Sequence, residues 1–161
     1  MRDYYEILFQ EMFKVDPSLK GLGYLGRNRL KVEYEGEEGV YGLATRWEIE
    51  SLGRLNSIEN TPNILKVYDG DSWCVPLIRS FFPGKMLSKI DIDLSSLALE
   101  ANNLIERIHN VGVVTRDLKS DNFVYGEMGL CFVDFSEGCL DYMSEFREAK
   151  ENELKELKRL F

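Results

Sequence analysis

The segment Val113 to Asn122 reads V-V-T-R-D-L-K-S-D-N, and Asp134 follows twelve positions later in F-V-D-F-S. Asp117, Lys119 and Asn122 must share one short loop, with Asp134 at the end of a nearby strand. Such a set suits transfer of a phosphoryl group from a magnesium-bound nucleotide. In that chemistry one acid takes the proton of the attacking hydroxyl and a cation holds the moving phosphate, while an amide and a second acid hold metal. Asp and Asn also serve as turn residues and helix caps. Capping, however, needs no such order and spacing.

Bulk properties narrow the field. A chain of 161 residues suits one domain, or one domain folded as two small lobes. Hydrophobic residues make up 44% and charged residues 30%, ordinary for a water-soluble globular protein. The net charge of −8 disfavours direct binding to nucleic acid or to an anionic membrane. Cys74, Cys131 and Cys139 are odd in number and lack C-x-x-C spacing, which points to a reducing, cytoplasmic setting. The start M-R-D-Y-Y-E-I-L is too acidic and too broken for a signal peptide. No apolar run approaches membrane-spanning length. His109 is the sole histidine, so a zinc set is lacking and packing is its expected role. No serine has a histidine partner in sequence for nucleophilic catalysis.

Several elements must position the polar set. Tyr5, Leu8, Phe9, Met12 and Phe13 fall at helical spacing, with Pro17 beyond. Gly21, Gly23 and Gly26 follow. Leu30, Val32 and Tyr34 alternate with Arg29, Lys31 and Glu33 as a half-buried strand, and Val40 to Thr45 completes a hairpin around E-G-E-E-G. Trp47, Ile49, Leu52 and Leu55 predict a short helix. Ile64 to Tyr68 and Trp73 to Ile78 predict two strands around a D-G-D turn. Phe82-Pro83-Gly84 breaks the pattern between a strand-rich first half and a helical second half. A long helix then shows the stripe Leu97, Ala101, Leu104, Ile105, Ile108, ending before Gly112. The polar loop comes next, followed by strands at 123–125 and 130–133 joined by G-E-M-G. A charged helix from about Ser144 closes the chain, its apolar face made of Phe146, Ala149, Leu154, Leu157 and Leu160.

The run L-I-E-R-I-H-N-V-G-V-V-T-R-D-L-K-S-D-N, with D-F-S after it, resembles the catalytic loop and metal-binding strand of the protein kinase superfamily. The resemblance implies an α+β, two-lobed fold over residues 1–161, with an N-lobe of about 1–81 and a truncated helical C-lobe of about 82–161. It implies Asp117 as catalytic base, Lys119 facing the transferred phosphate, and Asn122 and Asp134 as Mg²⁺ ligands beside ATP. Gly21, Gly23 and Gly26 spell G-x-G-x-x-G before a strand, as a kinase phosphate loop does. A Rossmann reading fails, since a helix precedes the glycines and a strand follows. E-I-E-S-L-G-R-L resembles the kinase helix whose glutamate pairs with a phosphate-binding lysine. Glu48 fits that role with Glu50 as fallback, and Arg46 stands where the lysine usually is, with Lys31 as the other candidate. R-S-F-F-P-G-K-M-L resembles the hinge between lobes, where backbone groups from Arg79 to Phe81 would meet adenine.

Departures from the family pattern shape the expectation. Thr115 replaces the histidine of H-R-D, and Ser136 replaces the last glycine of D-F-G, which suggests a less mobile metal loop. Only 27 residues follow Asp134, and A-P-E is missing, so the resemblance implies a minimal kinase. It is similar in that respect to RIO-like and lipopolysaccharide-kinase-like proteins and to the small kinase of the tRNA threonylcarbamoyl-adenosine complex. The expected activity is phosphoryl transfer from ATP to a protein serine or threonine. The alternatives are a pseudokinase or assembly subunit that binds nucleotide without transfer, and a kinase for a sugar or lipid headgroup.

Overall fold

The computed structural model describes residues 2–26, 29–70 and 72–161. The expected inward positions of Tyr5 and Leu8, and Asp71 of the expected turn, lie outside the described residues and side chains. The internal contacts divide the chain into two units, Met1–Arg46 with Asn63–Phe81, and Trp47–Pro62 with Phe82–Phe161. That division meets the sequence-derived line at Phe81, but it moves residues 47–62 into the second unit.

The first unit is one antiparallel sheet under one helix. Helix α1 (Arg2–Val15) precedes β1 (Lys20–Gly26), β2 (Arg29–Tyr34) and β3 (Glu37–Thr45); β4 (Ile64–Val67) and β5 (Cys74–Ser80) complete the order β1-β2-β3-β5-β4. The period-2 pattern sends Leu30 and Val32 to one face, where they bury completely with Met12, Leu19, Tyr41 and Ile78. Phe9 packs on that cluster, and a Cβ on Gly21 would meet the Phe9 ring at 2.0 Å, so helix and strand approach through the missing side chain. Tyr68 donates its hydroxyl to Asp16 at 2.8 Å, tying β4 to the end of α1. The hairpin of β2 and β3 matches expectation. Strand β1 does not, because glycines fill its alternate positions and its Leu22 and Tyr24 are exposed, so no apolar face announces it.

The second unit holds α2 (Arg46–Leu55, from Trp47 onward), α3 (Ala98–Asn110) and α4 (Phe146–Leu160). Two small sheets accompany them: β6 (Lys85–Met86) with β8 (Phe123–Gly126) and β9 (Gly129–Phe132), and β7 (Val113–Val114) with β10 (Cys139–Leu140). The expected α3 stripe is buried, with Ala101, Leu104, Ile105 and Ile108 at 0% exposure. Each buried Leu or Ile contributes roughly 2 kcal/mol through apolar burial. Leu97, expected at the helix start, ends the 3-10 turn Leu94–Leu97 instead. Phe161, Phe123, Phe132 and Phe135 form an edge-to-face chain with centroid separations of 5.4, 5.1 and 5.2 Å.

All three cysteines are free. Burial pushes the Cys131 thiol up to about 11 and raises that of Cys139 as well. Cys74 is only half-buried. Iodoacetamide on the native protein is therefore expected to label Cys74 and spare the other two until denaturant is added. Peptide mass spectrometry reads the outcome, and equal labelling of all three would refute it.

Candidate functional site

The hairpin β8–β9 brings the polar set together. Its register pairs Phe123 with Phe132, so the residues just outside the hairpin, Asn122 and Val133, stand side by side. The Val133 amide donates to the Asn122 carbonyl at 3.0 Å, which sets Asp134 beside the end of the loop. A 3-10 turn at Ser120–Asn122 closes the loop, with the Asn122 amide donating to the Lys119 carbonyl at 2.9 Å. Asn122, 2% exposed, donates its side-chain Nδ2 to both the Asp117 carbonyl and Asp117 Oδ2, each at 2.9 Å. Lys119 forms an ion pair with the same Oδ2. Asp117 and Lys119 are about one-third exposed, at 31% and 38% of their side chains. Asp134 is 4% exposed, and its Oδ1 accepts the Ser136 amide at 3.2 Å.

With Nδ2 committed to Asp117, the Asn122 amide oxygen remains as a hard donor, and Asp134 supplies carboxylate oxygens. Among the described residues no group of three or more His, Cys, Asp or Glu could hold a metal. A magnesium–nucleotide complex does not need one, because the phosphates and water provide most of the coordination and the protein adds one or two ligands. The donor set therefore fits that ion.

Upstream, a buried carboxylate anchors the loop. Glu153 of α4 is 1% exposed, and its Oε1 accepts the amides of Thr115 and Arg116, each at 2.9 Å, and the Thr115 hydroxyl. Its other oxygen meets His109 Nε2 at 2.5 Å. These bonds hold Arg116 in the left-handed region, φ 62°, directly before Asp117. Sequence reasoning expected Leu154 on the inner face of α4, yet Leu154 is 39% exposed and its neighbour Glu153 is inside. Apolar periodicity cannot report a buried acid whose partners come from other segments; Thr115 in place of a ring was the available signal. Arg116 itself is exposed and lines a cavity of about 310 Å³ with Glu145, Glu148 and Glu156.

A second node joins three segments of the same unit. Arg54 Nη1 of α2 reaches the Gly112 carbonyl at 3.2 Å and Asp141 Oδ1 at 2.8 Å, and the Asp141 amide donates to Gly112 at 3.0 Å. The hydrogen bond to Asp141 holds the Arg54 guanidinium above its ordinary value. Tyr142 donates to Glu50 at 2.9 Å on the next turn of α2. Gly112 has φ +76°, and a Cβ there would lie 2.5 Å from Asp141 Oδ2 and 2.7 Å from Arg54 Nη1. Gly112→Ala is expected to cost about 2 kcal/mol in urea unfolding. A loss below measurement error would show that the node yields freely.

Glu48 is buried at 4% on the same helical face as Ser51, Leu52 and Leu55, whereas Glu50 is exposed and engaged by Tyr142 and Arg54. Arg46, the first residue of α2, is exposed. In the first unit, Lys31 pairs with Glu38 at 2.6 Å and sits 4.2 Å above the half-buried Phe81 ring, whose amide donates to the Glu38 carbonyl. Gly26 takes φ +87° at the end of β1, while a Cβ on Gly23 would meet open space. No helix among the described residues is long and apolar enough to cross a membrane.

No family model matches this chain, and no curated protein does either. Among solved structures it is similar to that of the Cydia pomonella granulovirus kinase PK-1, with a TM-score of 0.65 and 12% identity over 84% of this chain. The match covers 57% of the viral kinase's own length. A likeness at that identity concerns architecture, and on it the chain has a protein-kinase-like α+β fold with a strand-rich unit followed by a helical one.

Proposed function

We propose that this protein is an ATP- and Mg²⁺-dependent phosphotransferase whose acceptor is a serine or threonine hydroxyl of a protein. The observation that carries the reading is the convergence of Lys119 and Asn122 on one carboxylate oxygen of Asp117, with Asp134 tied alongside by the Val133–Asn122 hydrogen bond. In the proposed reaction the acceptor oxygen bonds to the γ-phosphorus as the bond to the β-phosphate oxygen breaks, and ADP leaves. The hydroxyl proton goes to Asp117, which Asn122 orients. Lys119 turns from Asp117 toward the transferred phosphoryl, where its charge offsets the negative oxygens. Asn122 and Asp134 would hold Mg²⁺, which when bound neutralises charge on the phosphates. The buried Glu153 anchor supports the same assignment, since a positioned base is worth far more than a mobile one. Three unpaired cysteines support work in the cytoplasm.

A second reading, a nucleotide-binding pseudokinase, draws on one observation: β3 reads E-E-G-V-Y-G-L-A-T and offers no cation to phosphate. Incubation with γ-labelled ATP and Mg²⁺, with the protein itself, a generic protein substrate, sugars and lipid headgroups as acceptors, separates the readings. Label on protein serine or threonine supports the proposal. Label on a small acceptor moves the substrate class, and binding without label on any acceptor favours the pseudokinase.

A further inference from the structure

We propose that Ser51 of α2 is a positioning residue for the turn that follows Asp134, its hydroxyl bonding the Phe135 carbonyl only when Asp134 and Asn122 hold a cation. The inference rests on the phosphotransferase reading above and names a residue that acts on its metal-binding step. All the residues concerned belong to the second unit. Ser51 is fully buried, and among the described residues its Oγ is the buried side-chain oxygen or nitrogen that makes no hydrogen bond. Such a hydroxyl destabilises the state that contains it, because the bond it gave up to water is not replaced. A methyl group would fill the same place without that cost. Its neighbours along α2 are bonded to the same stretch of chain: Tyr142 donates to Glu50 at 2.9 Å, and Arg54 meets Asp141 at 2.8 Å. Glu48, one turn earlier, shares the buried face with Ser51.

The turn is built to come this close. The Gly138 amide donates to the Phe135 carbonyl at 3.1 Å. Gly138 is not among the glycines with positive φ, so proximity, rather than backbone conformation, keeps a side chain out. A Cβ there would lie 3.0 Å from Ser51 Oγ, 3.1 Å from the Phe135 carbonyl oxygen and 3.7 Å from that of Val114. Ser51 Oγ and the Phe135 oxygen thus flank one point without bonding each other, and a small movement of the turn joins them. The Phe135 oxygen has two lone pairs, and Gly138 uses one. Asp134 is tied back into the turn, its Oδ1 accepting the Ser136 amide at 3.2 Å. Turning that carboxylate to a cation releases the Ser136 amide and lets the turn shift, with the Ser51 hydroxyl donating to Phe135 in the new arrangement.

The test is scanning calorimetry of the full chain without ligand, joined to calorimetric titration with ADP in Mg²⁺ and in EDTA, for wild type, S51A and G138A. S51A is expected to raise the unliganded melting midpoint by about 3 °C, since the unbonded hydroxyl is gone. The same variant should bind ADP roughly fivefold more weakly in Mg²⁺, while its affinity in EDTA stays within about twofold of wild type. G138A sets a methyl between hydroxyl and carbonyl, so it should lower the midpoint and lose the same Mg²⁺-dependent gain. A merely structural role for Ser51 would move the midpoint alone, so an S51A or G138A variant that keeps the full Mg²⁺-dependent gain overturns the inference. An S51A midpoint at or below that of wild type also overturns it, by showing that the hydroxyl is already satisfied without ligand. Either result leaves the phosphotransferase reading standing. A wild type with the same ADP affinity in Mg²⁺ and in EDTA would reject that reading itself, and this inference with it.

Discussion

Asp134→Ala should abolish phosphoryl transfer, and Asp117→Ala should slow it by about two to four orders of magnitude, the range a positioned general base contributes. The two losses differ in kind. Asp134 is the buried carboxylate next to Asn122, so under the proposed function its removal takes away a metal ligand, and Mg²⁺ should no longer raise the protein's affinity for ADP. Asp117 is part-exposed and organised by Asn122 and Lys119, so the alanine variant should still bind Mg·ADP while failing at the transfer step. Single-turnover transfer of labelled phosphate gives the rates. Thermal stabilisation by ADP, with Mg²⁺ and with EDTA, gives the binding. Wild-type rates in both variants would sink the proposed activity.

Glu153→Ala should be the most destabilising single change in the second unit, by about 3–5 kcal/mol, the cost of removing one partner from a buried polar cluster. Its loss strands the amides of Thr115 and Arg116, the Thr115 hydroxyl and His109 Nε2 away from water at once. Glu153→Gln keeps an acceptor oxygen of the same reach, and its amide can donate to the imidazole, so roughly half of the loss should return. Urea unfolding monitored by far-UV circular dichroism measures both. An alanine variant as stable as wild type would mean that these donors find other partners.

Much of this architecture can be read from residue order. Strict alternation in β2 and the α3 stripe are strong signals because a single buried face dictates them. The polar loop is legible for another reason: Asp117, Lys119 and Asn122 are close in sequence, and the tight β8–β9 hairpin leaves Asp134 nowhere else to go. What stays hidden depends on partners distant in sequence. Strands β6, β7 and β10 have two residues each and exist only through their neighbours, so no periodicity announces them. Strand β1 is masked by its glycines, and the inward Glu153 makes sense only once the donors of Thr115 and Arg116 surround it. Arg46 drew attention by standing where the kinase lysine usually is, with Lys31 as the other candidate; Arg46 is exposed at the start of α2, whereas Lys31 is held by Glu38.

The allegiance of residues 47–62 bears on how this protein can be dissected. Arg54, held by Gly112 and Asp141, and Asn60, whose carbonyl accepts the Phe132 amide at 3.1 Å, fasten an early stretch of chain to late ones. A polypeptide cut at the Phe81–Phe82 bond therefore separates one cooperative body into two incomplete pieces. The later fragment alone would expose what α2 covers and should aggregate. Mixed with the earlier fragment it should recover by complementation, with the two halves copurifying.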